Sequence, residues 1–116
     1  MKKLTALLFA LVAASAIAQP KVPASFVTSA KSRLTAGFKD PNGAQYQGLF
    51  IALAGPGKVP TLCGSVNGKN SYGAYTGFRR FYADADSAEI EDSSESMTMF
   101  GDVYGMVCAK KIRDVK

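Results

Sequence analysis

The chain has 116 residues, in which 14 lysines and arginines outnumber 9 aspartates and glutamates for a formal net charge of +5, and it contains neither histidine nor tryptophan. The absence of histidine removes the commonest general base near neutral pH and the commonest metal ligand. Hydrolases of the Ser-His-Asp and Cys-His kinds are therefore excluded.

Residues 1–18 have the pattern of a secretory signal peptide. Lys2 and Lys3 precede a short apolar run, and small residues follow as far as Ala18. The alternatives are a transmembrane anchor and a first core helix, but the run is too short to span the hydrocarbon core of a bilayer. We expect cleavage after Ala18 and one domain over residues 19–116, in the periplasm or secreted.

Part of the basic character belongs to this segment. Without Lys2 and Lys3, 12 basic residues remain against the same 9 acids, which is a net charge of +3. A nucleic-acid-binding protein would normally keep a strongly basic surface. We therefore expect no nucleic-acid partner and, since no cysteine follows the small residues, no stable membrane anchor after cleavage.

The two cysteines, Cys63 and Cys108, both lie in the expected mature chain. An even number of cysteines in an exported protein usually pairs, so a disulfide is the leading interpretation. Such a bond would stabilise a small domain by about 4 kcal/mol in the chain-entropy model. Two buried free thiols or a reactive pair are the alternatives, although no CxxC motif or histidine is present to lower a thiol pKa.

The apolar residues after Pro23 predict a helix that ends near Lys39. Asp40-Pro41-Asn42-Gly43 follows as a strong turn signal. The predicted stripe, at spacings of one, three and four, consists of Phe26, Val27, Ala30, Leu34 and Phe38.

Three strands are predicted next. The first covers about 45–54 and ends at the turn 55–57, and the second covers 58–66. An Asn-Gly hairpin turn at 67–70 would lead into a third strand with alternating side chains over 71–83.

The segment from Asp84 to Glu95 holds six of the nine acids. It is typical of a solvated loop or an edge strand with Ile90 pointing inward. Its Asp84-x-Asp86-x-x-Glu89 spacing lacks the glycine and the final bidentate glutamate of a calcium loop. We expect neither a metal nor a cofactor.

Residues 96–108 can form either a helix or a strand. Gly101 and Gly105 each cost about 1 kcal/mol in a helix relative to alanine. We favour the helix, followed by the cations of 110–113, because of one apolar stripe. That stripe consists of Met97, Phe100, Tyr104, Val107 and Cys108.

The segment 63–82 is rich in glycines and aromatic residues and matches no phosphate-binding pattern. Its glycines are equally typical of bulges and bends in a sheet. As a contact surface, it offers aromatic faces and cations, which are enriched at protein interfaces. The candidate binding residues are Lys69, Tyr72, Tyr75, Phe78, Arg79 and Arg80.

Two motifs resemble those of a family of small exported bacterial and prophage-encoded proteins. The first is Lys39-Asp40-Pro41 with Ala44 and Tyr46, and the second runs from Cys63-Gly64-x-Val66-Asn67-x-Lys69-Asn70 to Gly73-x-Tyr75-x-Gly77-Phe78-x-x-Phe81. Gly43, Ala74 and the absence of tryptophan depart from the family pattern. The resemblance implies a Cys63–Cys108 pair and a periplasmic α+β domain, and it supplies no activity.

These patterns together predict an α+β fold with an N-terminal helix, a three- to four-stranded antiparallel sheet, a C-terminal helix and one disulfide. The leading functional hypothesis is a non-catalytic envelope protein that binds a macromolecule, such as another envelope or phage protein, in an inhibitor, immunity, exclusion or accessory role. The alternatives are a carboxylate-dependent hydrolase of cell-wall glycan with acids from 84–95, and a structural envelope component. The sequence leaves the oligomeric state open.

Overall fold

The computed structural model describes residues 22–92 and 97–116. The expected signal peptide, residues 1–18, lies outside the described residues, and so does Glu95. In chain order the elements are helix α1 (Phe26–Thr35), a 3-10 turn (Pro41–Gly43), strands β1 (Gln45–Ala54), β2 (Val59–Asn67), β3 (Arg79–Ala83) and β4 (Ala88–Ile90), helix α2 (Met97–Val107) and strand β5 (Lys111–Asp114).

The strands form one antiparallel sheet in the order β4-β3-β2-β1-β5. The α+β class is confirmed, but the expected three to four strands are five. The additional strand is β5, whose cations we assigned to the end of the preceding helix. It returns along β1, where Ile51 lies opposite Arg113.

Helix α1 covers one face of the sheet. Phe26, Ala30 and Leu34 are buried against an apolar cluster that includes Ile51 and Phe81. These are three of the five residues of the predicted stripe, and their burial is the main force that holds the helix in place. The other two, Val27 and Phe38, are partly buried, and Phe38 lies beyond the end of the helix. The helix ends at Thr35 rather than near Lys39, because the Phe38 N–H bonds to the Thr35 carbonyl in a tighter final turn.

Residues 97–107 form helix α2, as the favoured interpretation of residues 96–108 predicted. The helix lies on the opposite face of the sheet from α1. Cys108 follows its last residue and forms a disulfide with Cys63 of β2, with 6.2 Å between the Cα atoms. Ala52 packs beside this bond. The ring of Phe100 stacks on Tyr82 of β3 with the centroids 5.4 Å apart, so α2 is joined to the sheet both covalently and by packing.

A β-bulge interrupts the β1–β2 pairing between Gln47 and Phe50. Gly48 adopts a left-handed φ of +62°, and opposite it Gly64 has a φ of +146°. A Cβ on Gly64 would lie 3.0 Å from the Leu49 side chain and 3.1 Å from the Gly48 carbonyl oxygen. The bulge therefore requires glycine at this position.

The expected third strand over 71–83 is wrong for most of its length. Only Arg79–Ala83 pairs with β2, and residues 68–78 form a loop instead of a tight Asn-Gly hairpin. The reason is side-chain competition: the amide oxygens of Asn67 and Asn70 accept backbone N–H groups of the loop. In the acidic segment, β4 is the expected edge strand, and Ile90 packs partly buried against the core.

Neither of the helices in the described part of the chain is long and apolar enough to cross a membrane.

Candidate functional site

The loop of residues 68–78, called the aromatic loop below, is held in shape by its own hydrogen bonds. The Asn70 side-chain oxygen accepts bonds from the backbone N–H groups of Tyr72 and Ala74, at 2.9 and 3.1 Å. The Asn70 N–H donates to the Ala74 carbonyl at 2.8 Å, and the Gly73 N–H donates to the Asn70 carbonyl at 3.0 Å. These four bonds close the tip of the loop as a tight turn.

A second group of bonds closes the base of the aromatic loop. The Asn67 side-chain oxygen accepts from the Gly77 N–H at 2.9 Å. The Thr76 N–H donates to the Gly68 carbonyl at 3.1 Å, and the Thr76 hydroxyl reaches the same oxygen at 3.3 Å. The loop thus has few free backbone torsions although it lies outside the sheet.

The aromatic loop is also attached to the 3-10 turn. The Tyr75 hydroxyl donates a hydrogen bond to the Gly43 carbonyl at 2.8 Å. Lys69 Nζ lies 3.5 Å from the Asp40 carboxylate and 5.3 Å from the centre of the Tyr75 ring. The Asp40 carboxylate in turn accepts the Gly43 N–H at 3.1 Å. Two segments far apart in the sequence therefore form one surface.

The three aromatic side chains of the loop are exposed to different degrees. Tyr72 is 94% exposed and Phe78 is 47% exposed. Tyr75 is 41% exposed, with its hydroxyl engaged as described above. Of the three predicted aromatic contacts, Tyr72 and Phe78 are therefore the free ones, and Tyr75 positions the loop.

The two candidate arginines lie on opposite faces of the sheet. Arg79 is paired with Val66 and Arg80 with Ser65, so the alternation of β3 directs them to the α1 side and the α2 side respectively. Arg79 is exposed beside the aromatic loop. The six predicted binding residues are thus divided, with Arg80 separated from the other five.

Arg80 is occupied by contacts within the protein. Its Nε and Nη2 donate to the two carboxylate oxygens of Glu91 at 3.0 and 2.8 Å. The guanidinium also lies over the rings of Phe100 and Tyr104, at 5.7 and 5.2 Å from their centres. These hydrogen bonds to Arg80 lower the pKa of Glu91, and they raise the pKa of Arg80. Arg80 therefore joins β3, β4 and α2.

A pocket of about 200 Å³ opens beside the base of the aromatic loop, past the end of α1. Phe38, Val66 and Ile90 supply its apolar lining. A Cβ on Gly68 would lie 2.9 Å from the Phe38 ring, so glycine at this position lets that ring lie against the loop. Its three cations, Lys39, Lys69 and Arg79, come from three separate segments.

Sequence reasoning missed the part of this pocket that comes from α1 and the segment after it. Phe38 was expected only as the last residue of a core stripe, and Lys39 only as part of a turn motif. The short non-helical segment between the helix end at Thr35 and the 3-10 turn brings both to the pocket. Gly37 is a local signal for that end in the sequence, but we extended the helix past it because Phe38 continues the helical spacing.

Among the described acids of this segment, Glu91 and Asp84 are engaged in contacts that do not suit a pair of carboxyl groups for glycoside hydrolysis. Glu91 is bound to Arg80, and its pKa is lowered, whereas a general acid needs a raised pKa. The Asp84 carboxylate accepts the N–H groups of Asp86 and Ser87, both at 2.8 Å, as the cap of a turn. Within residues 22–92 and 97–116, no group of three or more Cys, Asp or Glu side chains is placed to hold a metal ion.

No protein-family model matches this chain. No curated protein and no solved structure matches it either. The family resemblance described above therefore stays a prediction, and the residues themselves carry the functional argument.

Proposed function

We propose that the protein is an exported, non-catalytic binding protein whose aromatic loop docks onto a macromolecular partner. The observation that carries the proposal is the high exposure of Tyr72 on a loop whose backbone is fixed by Asn67 and Asn70. Here the backbone is held by hydrogen bonds and the ring is left in solvent.

Such an arrangement favours binding for a physical reason. Association costs conformational entropy, and a loop that is already ordered loses less of it than a flexible one. Tyrosine and phenylalanine bury large areas with few rotatable bonds, which is why they are enriched among interface anchors. Tyr72 and Phe78 would be the anchors, and Lys69 and Arg79 would lie near them as polar contacts.

The setting that we propose is the bacterial envelope. A Cys63–Cys108 disulfide suits an oxidising compartment, and the pattern of residues 1–18 is that of an export signal. We propose another envelope or phage protein as the partner, in an inhibitory, immunity, exclusion or accessory role. This setting also accords with the resemblance to small exported bacterial and prophage proteins.

A pull-down from the producing cell with matched variants tests the proposal. Tyr72→Ser with Phe78→Ser removes both exposed anchors of the loop. Met99→Ser with Met106→Ser is the control, because these side chains are 74% and 69% exposed on the outer side of α2. We expect the wild type and the α2 control to retain the same partner, and the loop variant to lose it. Retention by the loop variant at wild-type yield would overturn the proposal.

A further inference from the structure

We infer that the pocket beside the aromatic loop binds an acidic side chain of the partner, within a peptide segment that also carries apolar residues. This inference rests on the proposed function and names the chemistry of the partner. It follows from the size, the charge and the lining of the pocket.

The size of the pocket favours a side chain over a whole small molecule. Ligand sites for drug-sized molecules typically measure roughly 300–1,000 Å³, and this pocket measures about 200 Å³. That volume accommodates one or two side chains of a docked peptide.

The charge of the pocket favours an anion. Lys39 and Arg79 have no hydrogen-bond or ion-pair partner among the residues that the structure describes. Lys69 is paired with Asp40 at 3.5 Å, so its charge is partly compensated. The carbonyl end of α1 lies nearby and adds a partial negative charge of roughly half an elementary unit. Lys39 and Arg79 together carry more positive charge than this partial negative charge offsets, which favours an anionic ligand.

The apolar lining of the pocket favours a peptide over a bare phosphate group as the ligand. Phe38, Val66 and Ile90 offer hydrocarbon surface that a phosphate cannot cover, whereas the methylene groups of a glutamate or a neighbouring leucine can. Tyr72 and Phe78 belong to the same loop as the pocket residues Gly68, Thr76 and Gly77. A carboxylate placed between Lys39 and Arg79 would gain two charge-assisted contacts.

The test is an NMR titration of the oxidised protein with a blocked peptide, acetyl-Glu-Leu-Glu-Leu-amide. The comparison ligands are the same peptide with glutamine in place of glutamate, inorganic phosphate, and phosphatidylglycerol vesicles. The reporters are the amide signals of Gly68 and Gly77, at the edge of the pocket. We expect the acidic peptide to shift both signals and the glutamine peptide to bind at least about tenfold more weakly, which is about 1.4 kcal/mol.

Matched variants locate the binding. The double variant Lys39→Gln with Arg79→Gln should bind the acidic peptide at least about tenfold more weakly than the wild type. Lys58→Gln with Lys110→Gln removes the same charge from a groove at the opposite end of β2 and should leave affinity unchanged. Equal weakening in both variants, or no shift with the acidic peptide, would overturn the inference. Phosphate or vesicles that bind as tightly, with the same dependence on Lys39 and Arg79, would also overturn it.

Failure of the pocket inference can be distinguished from failure of the proposed function. If the pull-down partner is lost with Tyr72→Ser and Phe78→Ser but retained with Lys39→Gln and Arg79→Gln, the loop binds the partner and the pocket inference fails. If the loop variant keeps the partner, the proposed function fails whatever the peptide does.

Discussion

The hydroxyl of Tyr75 donates a hydrogen bond to the carbonyl oxygen of Gly43, which lies 32 residues earlier in the chain. This bond joins the aromatic loop to the 3-10 turn, and Lys69 lies between the two segments, in contact with Asp40 and with the Tyr75 ring. The position of the loop therefore depends on the turn as well as on the loop's own hydrogen bonds.

Replacing Tyr75 by phenylalanine removes that bond and keeps the ring. We expect a loss of about 0.5–1.5 kcal/mol in the free energy that holds the loop closed, seen as faster hydrogen exchange at the amides of Tyr72 to Gly77. The control is Tyr72→Phe, because the hydroxyl of Tyr72 has no partner among the described residues. Equal exchange rates in the two variants would show that the bond to Gly43 does not order the loop.

Gly64 is a position at which alanine should be harmful. Its φ of +146° and the 3.0–3.1 Å approaches to Leu49, Gln47 and Gly48 leave no room for a Cβ. We expect Gly64→Ala to lower the free energy of unfolding by about 1–3 kcal/mol.

Alanine at Gly105 of α2 is expected to stabilise the protein, in contrast to alanine at Gly64. A Cβ there would meet nothing within 4 Å, so Gly105→Ala should stabilise the protein by up to about 1 kcal/mol through helix propensity. Urea unfolding of the Gly105 and Gly64 variants beside the wild type measures both effects. A Gly64 variant as stable as the wild type would contradict the close packing at the bulge.

The Cys63–Cys108 disulfide links residues 45 positions apart. Loss of the bond should lower stability by about 4 kcal/mol in the chain-entropy model, which is a fall of roughly 15–25 °C in Tm for a domain of this size. Thermal unfolding with and without reductant measures it. Cys63→Ala with Cys108→Ala is the control and should be insensitive to reductant; a wild-type Tm unchanged by complete reduction would contradict the expectation.

The Arg80–Glu91 pair should make stability depend on pH. The pKa of Glu91 is lowered in the folded state by hydrogen bonds from Arg80. The contribution of Glu91 to stability is therefore fully present above its pKa in the unfolded chain, about 4.3, and is lost as the pH falls through its lower pKa in the folded protein. We expect Glu91→Gln to lower the free energy of unfolding by about 1–2 kcal/mol at pH 7. This figure is reduced for solvent screening, because the Arg80 side chain is 41% exposed.

Denaturant unfolding at pH 7 and pH 3 checks this prediction. The stability difference between the wild type and Glu91→Gln should shrink at pH 3. Glu89→Gln, a change at an exposed position of β4 two residues before Glu91, serves as the control and should lower stability little at either pH. A Glu91→Gln difference that stays constant between pH 7 and pH 3 would show that the ion pair is not its source.

The spacing of apolar residues correctly predicted the two helices, in which one face packs against the sheet and the other is exposed. Phe26, Ala30 and Leu34 share the buried face of α1, and the stripe of Phe100 and Tyr104 correctly favoured a helix in spite of two glycines. The disulfide followed from the cysteine count. In each case the local pattern and the tertiary packing favour the same structure.

The pattern failed where side chains bond to the backbone or where contacts are distant. Alternation over 71–83 favoured a strand, but the amides of Asn67 and Asn70 hold the loop by bonds that residue spacing does not reveal. The pocket needs Lys39 beside Arg79, and only the tertiary fold brings these two cations together. The aromatic residues were visible in the sequence, but their exposure was not.

Site-specific photo-cross-linking in the producing cell tests the central proposal most directly. A photoreactive phenylalanine analogue at position 72 would lie on the aromatic loop, and one at position 99 would lie on the solvent-exposed side of α2. We expect one discrete protein adduct from position 72 that is absent from position 99. No adduct from position 72, or the same adducts from both positions, would contradict a docking role for the loop.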